Sequence, residues 1–450
     1  MDCGVVGIYG HPNAAELVQL GLHALQHRGQ ESAGIASSND AGLLRVHRGL
    51  GWVSAVFTPE ILRDLDGERA IGHNRYSTAG GKEVLTNAQP LLFDDARGGF
   101  ALAHNGNLVN AQALRRNLEA EGVSFGTTVD TEVIGHLIAR AHDRNFLERV
   151  VGVLPSVEGA YSLLLLTPAR VIAVRDPHGF RPLVLGELDG TIVVASETCA
   201  FDIMGATYIR DIAPGEVFAV SGEGIQSRMP FPLAPHRSCI FERIYFARPD
   251  SIIEGRSAYD MRRAYGRKLA REHPAAADVV IPVPDSGVPA ALGYAEESGL
   301  PFQMGLIRSH YVGRTFIEPR QEIRDAGVRL KFNPERSVLT GQRVVVVDDS
   351  IVRGTTSRKL IRMVRRAGAR EVHVRISSPP MTGPCIYGID TPNKNELIAA
   401  SSSVEEIRAF IGADSLGYLS TEGLHAVTGT ADGGACDACF SGRYPVPVAE

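Results

Sequence analysis

With 450 residues the chain exceeds the roughly 250 to 300 at which a single core stops growing, so two or three domains are expected. Its 46 basic and 51 acidic residues leave a formal charge of −5, which excludes a nucleic-acid wrapper or a coat for an anionic membrane and points to a small-molecule ligand. Hydrophobic residues at 44% and charged residues at 22% exclude a mostly disordered chain.

The opening MDCGVVGIYGHPNAAE has neither a basic n-region nor a long apolar h-region, and the densest apolar runs (161–166 and 344–347) are too short to span a bilayer. A cytoplasmic location is expected. Six cysteines, sparse and unevenly placed, suit catalysis or metal binding in a reducing compartment better than a disulfide framework.

In chain order, residues 3–230 alternate strand-like runs (CGVVGIYG, SAGIAS, AIGHNRYS, GFALAHNG, AYSLLLLT, RVIAVRD, GTIVVAS, GEVFAVS) with few helical stretches, chiefly AAELVQLGLHALQH, NAQALRRNLEAEG and DTEVIGHLIARAH. This pattern predicts large antiparallel sheets with a few covering helices. The three prolines of RMPFPLAPHRS cannot continue a sheet and mark a linker at 228–238. Beyond it come helix (SAYDMRRAYGRKLARE), strand (ADVVIPVP), helix (GVPAALGYAEES), strand (QRVVVVDD), helix (TTSRKLIRMVRRAG) and strand (EVHVRISSP). Unbroken Val/Ile strands alternating with helices imply a parallel sheet covered on both faces. Residues 385–450 carry three of the six cysteines and show no strong periodicity.

The sharpest local signal is VVVVDDSIVRGTTSRKL. An apolar strand ends in Asp348 and Asp349, and a loop with Arg353, Gly354, Thr355 and Thr356 opens the next helix. Free N–H groups at a helix start, hydroxyls and the helix dipole converge there on a phosphate, and Gly354 lets the backbone approach. Strand-end carboxylates, expected to be exposed, suit ribose hydroxyls or hydrated Mg²⁺. Neither a Walker A loop nor a dinucleotide-binding glycine loop is present. The motif resembles the fingerprint of type I phosphoribosyltransferases, whose substrate is phosphoribosyl pyrophosphate. The basic residues Arg358, Lys359, Arg362, Arg365 and Arg366 oppose an apolar stripe of Leu360, Val364 and Ala367, which reads as a solvated helix face.

In the first half, CGVVGIYG, LQHRGQESAGIA, HNRYSTAG and AHNGN together resemble class II glutamine amidotransferases, which are N-terminal-nucleophile hydrolases. The resemblance implies Cys3 as nucleophile with its own α-amine as base, and an oxyanion hole from the Asn105 side chain and the Gly106 N–H. It further implies Arg75 on the glutamine α-carboxylate, Asp130 on the α-ammonium, Arg28 as a further glutamine-binding residue in support of these, and His73 and Tyr76 likewise in support. Because Cys3 is preceded by Met1 and Asp2, use of its α-amine requires that these be removed.

The two halves in this order resemble the family of glutamine phosphoribosylpyrophosphate amidotransferases. The resemblance implies an α+β N-terminal-nucleophile hydrolase sandwich (αββα) at 3–230, an α/β type I phosphoribosyltransferase domain with a parallel sheet at 239–430, and a tail at 431–450 holding cluster ligands. It implies amidation of phosphoribosyl pyrophosphate by glutamine, with Mg²⁺ held by Ser286, Asp348 and Asp349. Ser350, Arg353, Gly354, Thr355, Thr356, Tyr311 and Arg314 would bind phosphoribosyl pyrophosphate, and a lid would run from near Arg308 to Lys331. A homo-oligomer, dimer or tetramer, and purine nucleotide inhibitors are implied as partners. The alternatives are another class II amidotransferase, which the phosphate loop argues against, and a non-catalytic phosphoribosyl pyrophosphate sensor.

Cys436 and Cys439 form a C-x-x-C, with Cys239 after the linker and Cys385 in SPPMTGPCIYGID. Four thiolates at these separations fit zinc or a 4Fe-4S cluster equally. SCIFERIYFARPDS, GPCIYGID and CDACFSGRYP resemble the iron–sulfur branch of the family, which implies 4Fe-4S. Cys199 is expected to be a buried core residue.

Overall fold

Strands that are apolar on both faces need cover on both sides, and the first half of the chain supplies it by stacking two sheets and flanking them with helices. The computed structural model describes residues 3–76, 84–94, 98–309, 331–430 and 433–447. Its first thirteen strands are β1 (Gly4–Tyr9), β2 (Ser32–Ser38), β3 (Leu44–Leu50), β4 (Arg69–Arg75), β5 (Leu91–Phe93), β6 (Phe100–Leu108), β7 (Gly159–Leu166), β8 (Arg170–Arg175), β9 (Val184–Leu188), β10 (Thr191–Ala195), β11 (Thr207–Asp211), β12 (Val217–Ser221) and β13 (Gly224–Arg228). One sheet has the order β11-β9-β10-β1-β4-β2-β3 and the other β13-β12-β8-β7-β6-β5. Their facing sides bury Val5, Ile71, Ala103, Leu164 and Val194 in one cluster. The outer side of the first sheet packs on the helices Ala14–Ala24 and Cys199–Met204, where Cys199 is 1% exposed, as expected. The outer side of the second packs on Thr131–Arg140 and Phe146–Val153.

The remaining strands are β14 (Arg237–Cys239), β15 (Ile252–Ile253), β16 (Arg256–Ser257), β17 (Val279–Pro282), β18 (Leu306–Arg308), β19 (Phe332–Pro334), β20 (Arg343–Asp348), β21 (Glu371–Ile376), β22 (Ser415–Tyr418) and β23 (Gly434–Cys436). A parallel sheet, β17-β20-β21-β22, has the helices Ala258–Glu272 and Val288–Ser298 on one face and Thr355–Arg366 and Val404–Ile411 on the other. The region read as aperiodic thus contains the edge strand β22 and two helices, Val404–Ile411 and Thr421–Thr428. They are too short to show a repeating pattern, and caps rather than periodicity mark them: Ser403 with Glu406 closes a capping box and Ser420 caps the second helix. The linker turns back into register at β14, which pairs in parallel with β23 and sets Cys239 opposite Cys436.

Candidate functional site

Cys3 lies immediately before β1, buried between the neighbouring strand ends, and its Sγ donates to the carbonyl of Tyr76 at 3.5 Å. Burial pushes the thiol up to about 11. Pairing of Gly4 with Asn74 brings the end of β4, and with it Arg75, beside the thiol. The Arg75 guanidinium stands 3.5 Å from Glu31, and the backbone at Gly29 runs so tightly against Asn74 and Arg75 that an added Cβ would sit 2.7 Å from their carbonyl carbons.

The second sheet contributes β6. Asn105 is fully buried there, and neither atom of its side-chain amide has a hydrogen-bond partner among the described residues. Gly106 has φ +150°, and a Cβ would meet the Ala160 carbonyl at 2.0 Å, so only glycine fits. An unsatisfied buried amide beside a glycine N–H is a donor pair suited to an oxyanion. Asp130 accepts from the Leu108 N–H at 2.9 Å and stands 3.5 Å from His104. Burial alone would raise its carboxyl, but the charge and hydrogen bond of His104 hold it below the usual range. Arg75, Glu31 and Asp130 all lie within electrostatic reach of the Cys3 thiol. His73, bound to the His104 carbonyl at 3.0 Å, is pushed down to about 3 by burial and is neutral.

The second site is a cleft of about 360 Å³ at the C-terminal ends of the parallel strands, lined by Ser286, Asp348, Asp349, Ser350, Arg353, Gly354, Thr355 and Thr356. Gly354 has φ +71° at the start of the helix Thr355–Arg366. The carboxylates differ from expectation, since Asp349 is only 7% exposed. The Asp349 N–H donates to Asp348 at 2.9 Å and the Ser350 hydroxyl to Asp349 at 2.7 Å. Burial, then the adjacent charge of Asp349, raises the Asp348 carboxyl well above its ordinary value. Two carboxylates crowded together are oxygen donors of the kind that suits a hard cation. Arg353 reaches away to Glu396 at 2.8 Å. Lys331, Tyr76 and the rings of Phe241, Tyr245 and Phe246 also line this cleft. The last three carry no signal of a role in the sequence, because an aromatic run cannot be told from core by pattern alone. Tyr311 and Arg314 lie outside the described residues.

Arg28 is placed elsewhere than expected. It is fully buried, donating from Nε to Glu197 and from Nη1 and Nη2 to Glu242 at 3.1 and 2.6 Å. Glu242 also receives Arg181, and Glu197 also accepts from the Ser251 hydroxyl at 2.7 Å and the Arg248 N–H at 2.8 Å. Arg28 therefore bridges the two halves of the chain, and a guanidinium so saturated has no face to offer glutamine.

Cys239, Cys385, Cys436 and Cys439 line one cavity with Phe180, Phe241, Met381, Tyr387 and Tyr444. Burial raises the thiols of Cys239, Cys436 and Cys439, and neighbouring cysteines push Cys436 and Cys439 further up. Among the described residues no three metal-ligating side chains close on a single point. The donor set and the shared cavity nevertheless suit a metal centre that takes up the proton-free thiolates.

Comparison with known proteins adds to this geometry. A glutamine amidotransferase domain family matches residues 73–202 and a phosphoribosyl transferase domain family matches 257–377. The chain is 55% identical to amidophosphoribosyltransferase 1, chloroplastic, of Arabidopsis thaliana, over 100% of this chain and 79% of that protein. It is 50% identical to the amidophosphoribosyltransferase of Bacillus subtilis, over 99% of this chain and 94% of that one. In structure it is similar to the B. subtilis glutamine phosphoribosylpyrophosphate amidotransferase complexed with ADP and GMP, with a TM-score of 0.94 at 49% identity, covering 100% of this chain and 98% of that one.

Proposed function

The chain belongs to the amidophosphoribosyltransferase family, and from that premise we propose how its residues divide the reaction between two sites. The enzyme is an N-terminal-nucleophile glutaminase joined to a type I phosphoribosyltransferase. It amidates phosphoribosyl pyrophosphate with glutamine, the first step of purine biosynthesis.

In our reading Cys3 attacks the glutamine carboxamide, with its α-amine, once freed, receiving the thiol proton. The Asn105 amide and Gly106 N–H take the oxyanion, a pair of which each donor is typically worth about 2.7 to 4 kcal/mol of barrier. Arg75 and Asp130 hold the two ends of the amino-acid head group. The adduct collapses with loss of ammonia, which carries away the proton held by the α-amine, and water hydrolyses the remaining Cys3 thioester to glutamate. The ammonia passes, shielded from water, to the anomeric carbon, where the new C–N bond forms as the bond to pyrophosphate breaks. The N–H groups and hydroxyls of Gly354, Thr355 and Thr356 bind the 5′-phosphate. Ser286, Asp348 and Asp349 would hold Mg²⁺, which when bound neutralises the pyrophosphate leaving group. Arg28 we assign to joining the domains.

The four cavity cysteines would hold a 4Fe-4S cluster, supported by their shared apolar cavity and by the resemblance of their flanking sequences to the iron–sulfur branch. Bound there, it would supply metal-ligand free energy that fastens β14 and β23 to the Cys385 loop. Purine nucleotides as inhibitors are supported by the ADP and GMP in the B. subtilis complex. A dimer or tetramer in the cytoplasm is our reading of its state and place. Among the described residues no helix is long and apolar enough to cross a membrane.

The observation that carries the assignment of roles is the buried Asn105 amide, without a hydrogen-bond partner among the described residues, beside Gly106 and within one domain of a chain whose other domain carries the paired carboxylates. The test is glutamate release from glutamine, which is expected to rise on addition of phosphoribosyl pyrophosphate and Mg²⁺. Glutamate release indifferent to both would separate the two sites and overturn the reading.

A further inference from the structure

The oxyanion strand does not stand alone. Gly106 gives up side-chain support for backbone freedom, and what stands behind it comes from the other half of the chain. Gly388, at φ +110°, lies so close that a Cβ on it would be 3.0 Å from the Gly106 Cα and carbonyl carbon. One residue beyond, the Asn107 side-chain amide donates to the carbonyl of Ile386 at 2.9 Å, a bond spanning 279 residues. Between these contacts Tyr387 stacks on Phe180, with centroids 4.3 Å apart at 15°, and its hydroxyl donates to the Val446 carbonyl at 2.7 Å. The same turn is held at its base by the Cys385 N–H on Thr391 at 2.6 Å and by the Tyr444 hydroxyl on the Pro384 carbonyl at 2.6 Å.

We propose that the turn Cys385 to Gly388 is a rigid backstop for the oxyanion strand, and that Asn107 is a positioning residue for glutamine hydrolysis through its bond to the Ile386 carbonyl. The inference rests on the roles given above to Cys3, Asn105 and Gly106. The physical reason is that a donor pair stabilises an oxyanion only if its direction is fixed before charge develops. Among the described residues the Asn105 side-chain amide has no hydrogen-bond partner and Gly106 has no side chain, so their aim is set by the strand and its neighbours. Asn107, whose β7 partner is Ala160, ties the strand to the turn at Ile386, and Ala160 and Tyr387 pack in one cluster. The turn begins at Cys385, which also lines the cysteine cavity.

The test uses Asn107→Ala and Asn107→Asp in the full-length protein, the second placing a carboxylate against the Ile386 carbonyl. For Asn107→Ala, kcat with glutamine should fall by about tenfold, the scale of a misaimed donor. KM for glutamine and ammonia-dependent synthesis should stay within about twofold, as they do not use the hole. Asn107→Asp should lose more than Asn107→Ala. A readout independent of turnover is alkylation of Cys3. A chloroketone analogue of glutamine loses chloride by way of a thiohemiketal oxyanion, whereas iodoacetamide loses iodide directly. The chloroketone rate should drop with kcat while the iodoacetamide rate holds. Wild-type kcat in both variants, or a parallel fall of both alkylation rates or of glutamine- and ammonia-dependent synthesis, would overturn the proposal. If Cys3→Ala kept glutamine-dependent synthesis, the premise itself would fail instead.

Discussion

The Sγ of Cys3 lies 3.5 Å from the carbonyl oxygen of Tyr76, and Tyr76 also lines the cleft that contains Asp348 and Asp349. One residue thus touches both chemistries, and the two sites share a wall. Separate chemistries behind a shared wall are separable by mutation. Cys3→Ala is expected to abolish glutamine-dependent synthesis and to leave synthesis from concentrated ammonia, since the nucleophile serves only nitrogen release. Parallel assays with each nitrogen source measure this, and loss of both activities would sink the two-site scheme.

The buried carboxylate pair gives a pH signature. The folded Asp348 carboxyl is raised above its unfolded value, so above that value the native state holds a proton the unfolded chain has lost. Stability therefore declines as pH rises through that window, by at most about 1.4 kcal/mol per pH unit, and Asp348→Asn should remove the slope. Because a cation needs the ionised form, binding of Mg²⁺ with phosphoribosyl pyrophosphate should release a proton and tighten with pH. Denaturation midpoints across pH and titration calorimetry in two buffers of different ionisation heat read both effects. Asp348→Asn with Asp349→Asn should abolish synthesis from either nitrogen source; retained affinity for the substrate would count against the assignment.

For the four cavity cysteines, protein purified without oxygen is expected to be brown, with iron and inorganic sulfide in matching amounts and little zinc. Air should bleach it and inactivate it slowly. Cys436→Ser should give unstable protein, because ligand free energy here is folding free energy, whereas Cys199→Ser, on a helix that does not line that cavity, should fold. A colourless zinc protein indifferent to air would refute the cluster.

Arg28→Met separates bridging from glutamine binding. With Glu197 and Glu242 left buried without this partner, unfolding free energy should drop by about 3 to 5 kcal/mol. Glutamine and ammonia activities should decline together in thermal and kinetic assays. A higher KM for glutamine at unchanged stability would instead return Arg28 to the glutamine site.

The fold class and the chemistry of each half were legible in the chain because they depend on local order. Branched apolar runs make buried strands, an acidic strand end followed by Arg353, Gly354, Thr355 and Thr356 opens a helix as the phosphate-loop pattern predicts, and Asn105 beside Gly106 lies in the strand to which the family resemblance directs attention. These are written within about fifteen consecutive residues each. The short helices of residues 404–428 escaped because their signal lies in caps rather than in a repeating stripe. What only the tertiary structure decided is where long side chains turn. Arg28 and Glu242 are 214 residues apart in sequence yet bonded, Asp349 is buried and Asp348 half-buried rather than both exposed, and Asn107 finds Ile386 across the domain boundary. A guanidinium or an amide takes whichever partner packing brings within 3 Å, and packing between distant segments leaves no periodicity in the sequence to announce it.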